Sequence, residues 1–263
     1  RGGSFSGSSP RRPVPIEAGE ADESFIFRCS GKIRPFELFP RNNSPSAPLS
    51  RDGPDNCSGT AKRERRQDMN SAKKRTILWV LSVFLIVFAA ELVFGIYLSV
   101  IRSFVYYDAV SRVANAFYVL YSRDPHLGAV GFVWNPLPSL LELLPLLLWP
   151  IIPEVAAAGL ASNIWTAIFA AGSAAMLLSF ALRCTGSLPV SLLLTAGYAC
   201  NPFIFLYGAN GMSEAMFAFF IMWTVTSYLS WVREDRSWPA IAMGIALASA
   251  FWIRYESVAF GFG

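Results

Sequence analysis

Apolar residues in this chain gather into long blocks, and the blocks follow a polar start. From Arg1 to Arg75 the sequence is rich in Ser, Pro, Gly and Arg, with apolar islands as short as Phe25-Ile26-Phe27. Such a stretch buries too little surface to offset the entropy of ordering it, so residues 1–75 are expected to form a disordered basic tail. Thr76–Ile101 is then almost continuously apolar. At helical rise it reaches about 39 Å, enough to cross a bilayer with tilt. The Lys73-Lys74-Arg75 cluster ahead of it predicts a cytoplasmic N-terminus. The length of the run, and the lack of a small-residue cleavage pattern, set it apart from a cleaved signal peptide.

Past this span the period changes. Between Asp108 and Ser122, apolar residues recur at Val110, Val113, Phe117, Leu120 and Tyr121. That one-sided spacing is that of an amphipathic helix on a membrane surface, closed by Asp124-Pro125. Leu137–Pro153, LPSLLELLPLLLWPIIP, is apolar but interrupted by Pro138, Pro145 and Pro150. As a helix it spans only about 24 Å. If it crossed, every later segment would invert and Arg183, Arg233 and Arg236 would fall outside. The positive-inside rule places it in the interface instead. The later spans are then Val155–Leu182, Leu188–Tyr207, Met212–Val232 and Trp238–Tyr255, about five in all. Asn201-Pro202 predicts a kink in the third, and the Ala, Gly and Ser of Ala156–Ala175 suit close helix packing.

The expected fold is therefore all-α: a polytopic transmembrane helix bundle over 76–263, with an amphipathic extracytoplasmic loop helix and a disordered tail. Met69, opening MNSAKKRTILWVL, is the expected start of translation, and residues 1–68 an extension or artefact. Composition agrees with a membrane protein: 54% of residues are hydrophobic and 15% charged, against roughly half and a quarter in soluble domains. The net charge of +4 comes largely from the run Ala61–Arg75. Beside a span such a run is a topology signal rather than a nucleic-acid patch. Cys29, Cys57, Cys184 and Cys200 lack CxxC or CxxH spacing and indicate neither a metal site nor a disulfide framework. The two sequons, at 42–44 and 56–58, lie in a tail read as cytoplasmic, where neither would be used.

On this topology the 102–136 loop, the turn carrying Glu214 and the WIRYES segment at 252–257 share the outer face. Two roles fit Asp108 at the start of the loop helix: a helix cap, or a general base beside a lipid-tethered donor. Arg112, Arg123 and His126 supply positive charge for an anionic group, although single juxtamembrane arginines also contact lipid headgroups. Asp124 with His126 is a two-ligand set for a divalent cation, and Asp124 also suits a turn before Pro125. Glu214 either caps its helix with Ser213 or faces the loop. Arg254, read as lying inside the outer leaflet, is costly there unless paired or wet. Glu256 is its neighbour, but i and i+2 share no helix face, so their pairing needs a break. Glu91, inside the first span, should face the bundle interior.

The order of these pieces resembles the GT-C superfamily of membrane glycosyltransferases, in its family-39-like branch of protein O-mannosyltransferases and aminoarabinose transferases. The matching stretches are YYDAVSRVAN, VWNPLPSLLELLPLLL, FLYGANGMSEAMFAFF and WIRYES, within residues 76–263. The resemblance implies the N-terminal half of an enzyme that moves a sugar, with inversion, from a polyprenyl-phosphate donor. The acceptor would be an extracytoplasmic protein, lipid or cell-envelope glycan, and a bacterial enzyme would sit in the plasma membrane. Asp108 matches the family's catalytic acidic residue, and Glu214 its second acidic one. Arg254 and Glu256 would contact donor phosphate or sugar hydroxyls. Trp134-Asn135 before Pro136 departs from the acidic-lysine pair of the aminoarabinose transferases, which argues against that substrate. The rival class is a transporter or lipid flippase, for which internal repeats and midplane polar residues are the usual marks. No convincing repeat is present, and the charges cluster at the outer ends of spans.

Overall fold

The computed structural model describes residues 57–131, 135–233 and 236–262. The tail before residue 57, with the sequon at 42–44, and Trp134 lie outside the described residues. Every regular element among the described residues is helical. The first, α1 (Cys57–Ile96), begins before the apolar run and takes in the basic stretch Ala61–Arg75. That stretch was expected in a disordered tail. It is instead helical because it is mostly Ala, Lys, Arg, Glu and Gln without an internal Pro or Gly, and it continues a helix already nucleated by the span. A π-helical turn, Tyr97–Ile101, closes α1.

The loop helix is α2 (Tyr107–Tyr121), with Ala109, Val113 and Ala116 buried. Phe117 and Leu120 complete the stripe against Leu146, Val155 and Ala161. Val110, placed on this face by the sequence pattern, is 47% exposed; it sits one residue, about 100° of helix, from Ala109. Short α3 (Leu137–Leu146) packs beside α2. The Tyr121 hydroxyl donates to the Leu146 carbonyl at 3.2 Å, and Trp149 packs edge-to-face on Phe117 and tilted against Tyr121. With ten residues, α3 is about 15 Å long, half a hydrocarbon core, and too short to cross alone. Leu144, Leu147, Leu148 and Ile151 stay exposed around it, as suits a segment lying against lipid.

After one turn, α4 (Glu154–Ala157), the chain enters the central helix α5 (Leu160–Thr185). Its buried face is small: Ala161, Ser162, Ala167, Ala170, Ala171 and Ala174 let α1, α6, α7 and α8 approach closely. A Cβ on Gly95 would stand 2.7 Å from the Ala209 carbonyl oxygen. The next expected span is broken into α6 (Leu188–Ala199) and α7 (Pro202–Ala209), bent by 65°. Pro202 cannot continue the ladder, and Asn201 accepts from the Phe203 amide at 3.0 Å to start the second piece. Then follow α8 (Glu214–Arg233), α9 (Trp238–Phe251) and α10 (Ser257–Phe262).

Three helical stretches, Met69–Ile101, Leu160–Thr185 and Glu214–Arg233, are long and apolar enough to cross a membrane, and the bent pair makes up to four. The fifth expected span differs: α9 stops at Phe251, four residues early, and its 14 residues reach about 21 Å. The Val155 start of the second also differs. Gly159, at φ +67°, separates α4 from α5.

Candidate functional site

The termini of three elements meet at one end of the bundle. The start of α2 brings Asp108 and Arg112, the α3 approach brings Asn135, and the segment after α9 brings Ile253, Arg254, Tyr255 and Glu256. Together they line a cleft of about 360 Å³.

Asp108 is not the cap of its helix. Tyr106 holds that position in extended conformation, and Asp108 lies in the first turn. Its main-chain carbonyl accepts from the Ser111 hydroxyl at 3.0 Å, while its exposed carboxylate accepts no hydrogen bond from a described residue. It is therefore open to a ligand's proton. Arg112, four residues on, shares the same face. Its Nη1 is buried and has no hydrogen-bond partner among the described residues. Burial lowers the pKa of its guanidinium, while Glu142, Asp108 and Glu214 pull it back up. The group stays cationic, since arginine is not deprotonated in proteins.

Behind Arg112 stands Glu142, on α3, which is fully buried. The Ser162 hydroxyl donates to its Oε1 at 2.5 Å, and its Oε2 has no partner among the described residues. Burial pushes its carboxyl from the ordinary 4.5 up to about 8, against the downward pull of Ser162 and Arg112.

Arg254 forms the far wall. The pairing with Glu256 that a continuous helix forbids occurs because the helix has ended: after Phe251 the chain turns, and the Leu137 amide donates to the Trp252 carbonyl at 3.2 Å. Arg254 then forks, with Nη1 donating to Glu214 at 2.5 Å and Nη2 to Glu256 at 2.9 Å. The Glu256 hydrogen bond is the largest influence raising the Arg254 pKa, and the same bond lowers that of Glu256. Glu214 thus spends its side chain on Arg254 rather than on capping α8. Its second oxygen, Oε2, is buried without a partner among the described residues. The turn ahead of it is fixed by Asn210, whose Oδ1 accepts from the Met212 amide at 2.9 Å. Gly211, at φ +77°, lets that turn press on α5; a Cβ there would stand 2.8 Å from both Asn163 Oδ1 and Ser162 Cβ.

Of the candidates taken from the sequence, Asp108, Arg112, Arg254 and Glu256 line the cleft, and Glu214 is joined to it through Arg254. Arg123, Asp124 and His126 do not belong to it. They are exposed beyond the other end of α2, about 20 Å along the helix. His126 Nδ1 lies 2.7 Å from the main-chain carbonyl of Asp124. No three of His, Cys, Asp or Glu converge as a metal-holding group among the described residues. Glu142, Ser162 and Asn135 did not stand out in the sequence as site residues. The signal for Glu142 was available: it is the one charged residue in Leu137–Pro153.

Glu91, on α1, is buried in the bundle as expected, its carboxyl packed against Gly208 with neither oxygen bonded among the described residues. A larger cleft, about 510 Å³, opens at the opposite end of α5 and α8 between Trp223 and Trp238, with Arg183 as its one charged lining residue. It lacks the acid–base pairing of the smaller one.

No family model matches this chain, and no curated protein or solved structure matches it.

Proposed function

We propose that this chain carries the reaction centre of a membrane glycosyltransferase using a lipid-linked sugar donor. The observation that carries this reading is the unbonded Asp108 carboxylate sharing a cleft with Arg112 and Arg254, beside the exposed apolar rim of Tyr107 and Val110. In this reading the polyprenyl tail lies along the rim, and the phosphate is held by the arginines through charge-assisted hydrogen bonds. Asp108 takes the proton of the acceptor hydroxyl as that oxygen attacks the anomeric carbon from the face opposite the phosphate. The C–O bond to phosphate breaks, the phosphate departs with the electron pair, and the sugar inverts. The acceptor is a hydroxyl presented on the outer face, on a protein, lipid or envelope glycan. The N-terminus would lie in the cytoplasm.

The test is transfer from a radiolabelled polyprenyl-phosphate sugar by reconstituted protein. Asp108→Asn should cut the rate by roughly 10²–10⁴, the usual worth of a general base; an undiminished rate would remove Asp108 from this role. A second reading, a transporter or flippase, has Glu91 in its favour, because a buried carboxyl within a span is a common feature of ion pathways. Counter-flow of labelled lipid in vesicles, abolished by Glu91→Gln and indifferent to Asp108→Asn, would favour that reading instead.

A further inference from the structure

Three buried polar atoms around the cleft lack partners among the described residues: the donor Arg112 Nη1 and the acceptors Glu142 Oε2 and Glu214 Oε2. Such atoms are rare in folded proteins and call for an explanation. The first two are the informative pair. Arg112 and Glu142 belong to adjacent packed helices and feel each other's charge, yet they form no ion pair. A buried carboxylate left one hydroxyl donor and no salt bridge would carry a desolvation cost of several kcal/mol. A neutral carboxylic acid with Ser162 as its partner avoids that cost. Arg112 then keeps a charge that no ion pair takes up among the described residues, at the edge of a cleft whose other cation, Arg254, is already shared between Glu214 and Glu256.

We propose that Glu142 is a positioning residue for Arg112: kept uncharged in its pocket by α5, it leaves the guanidinium free to hold an anion in the cleft, and on ionising it draws Arg112 inward and releases that anion. This rests on the glycosyltransferase reading only for the identity of the anion, a phosphate on a polyprenyl chain. The charged groups facing the pair are Asp108 on α2 itself, Glu214 from α8 and Arg254 from the segment after α9. Ser162 faces Glu142 from α5, and Glu154 on neighbouring α4 is exposed. With its carboxyl moved to about 8, Glu142 is the carboxyl beside the cleft whose ionisation falls just above neutrality. The Ser162 hydroxyl pulls in the opposite direction, so removing it delays the ionisation.

The experiment is binding of a polyprenyl phosphate in detergent, followed by tryptophan quenching across the pH range around 8, with the protonated-carboxyl infrared band recorded alongside. In the wild type, binding should weaken by roughly tenfold, an ordinary coupling between two sites, as pH rises through about 8. Glu142→Gln, nearly isosteric and unable to ionise, should bind tightly throughout and lose the Glu142 share of the band, leaving that of buried Glu91. Ser162→Ala should move the weakening to higher pH. A phosphate monoester is already dianionic near pH 8, so its own titration does not mimic this pattern. The same pH profile in wild type and Glu142→Gln overturns the proposal, as does an infrared band that survives Glu142→Gln unchanged. A wild type that shows the titrating band but binds no polyprenyl phosphate at any pH overturns the transferase reading, and with it the anion-holding role of Arg112.

Discussion

Arg254 holds two carboxylates with one planar fork, a geometry lysine cannot copy. Its side chain is 31% exposed, with Glu214 at 25% and Glu256 at 60%; the Glu256 bond raises the Arg254 pKa most, but water screens that exposed arm, so the Glu214 arm carries more of the stability. After allowing for solvent screening, Arg254→Ala should cost about 1 kcal/mol in chemical denaturation. Arg254→Lys should recover less than half of it. The stability of the fold should also depend on Glu142. A carboxyl raised from 4.5 to about 8 contributes stability that is complete below 4.5 and lost as pH rises through about 8, because the folded chain holds the proton more tightly. Melting in detergent should therefore fall with pH across that window, and Glu142→Gln should flatten the slope; equal slopes in the two proteins would contradict it. At this scale the sequence was legible only in part. Asp108, Arg112 and Arg254 stood out as charges beside apolar blocks. Glu142 was one acidic residue in a leucine run, and its partner Ser162 lies 20 residues away on another helix, a relation no local spacing records.

Among the elements, the close crossings are the testable ones. Gly95 meets the Ala209 carbonyl, and the space a Cβ would need on Gly208 is taken by the Glu91 carboxyl. Alanine at either position overpacks the crossing of α1 with α7, with an expected cost of about 1–3 kcal/mol by thermal unfolding. Alanine at Gly197, where a Cβ would meet nothing, is the control and should stabilise α6 slightly. The small-residue face of α5 and the Asn201-Pro202 break were visible in the sequence because Ala, Gly and Pro act through local geometry. The end of α9 was not. Trp252 to Glu256 has no strong breaker, and the helix gives way there because Leu137 bonds the Trp252 carbonyl and Arg254 turns toward Glu214. Tertiary contacts overrode propensity, as they commonly do for short apolar helices.

For the whole molecule, the all-helical, membrane-type architecture followed from block hydrophobicity alone, while the number of spans did not. The bent pair and short α9 are both apolar, and it is a bend in the one and a lack of length in the other that set them apart from an unbroken span. The sidedness can be measured directly. Cys184 is exposed beside Arg183, so as the only cysteine retained it should react with an impermeant maleimide only after cells are opened. A cysteine placed at exposed His126 should react in intact cells. Labelling of both from the same side would contradict the expected topology, and an exchange of the two patterns would reverse the orientation expected for the cleft.

The π-helical turn at Tyr97–Ile101 gives the exit from the first helix an unusual tolerance of chain length. Such turns behave as one residue inserted into an α-helix, and here the strain is stitched down by Asn163, which donates to the Gly95 carbonyl and to Ser99. Deleting a single residue from 97–101 would restore ordinary winding and leave the register on either side unchanged, without touching any group in the cleft. A deletion from the α-helical part of the same helix would instead rotate everything that follows by about 100°. In this protein a one-residue deletion should therefore be tolerated at 97–101 and damaging a few residues before it.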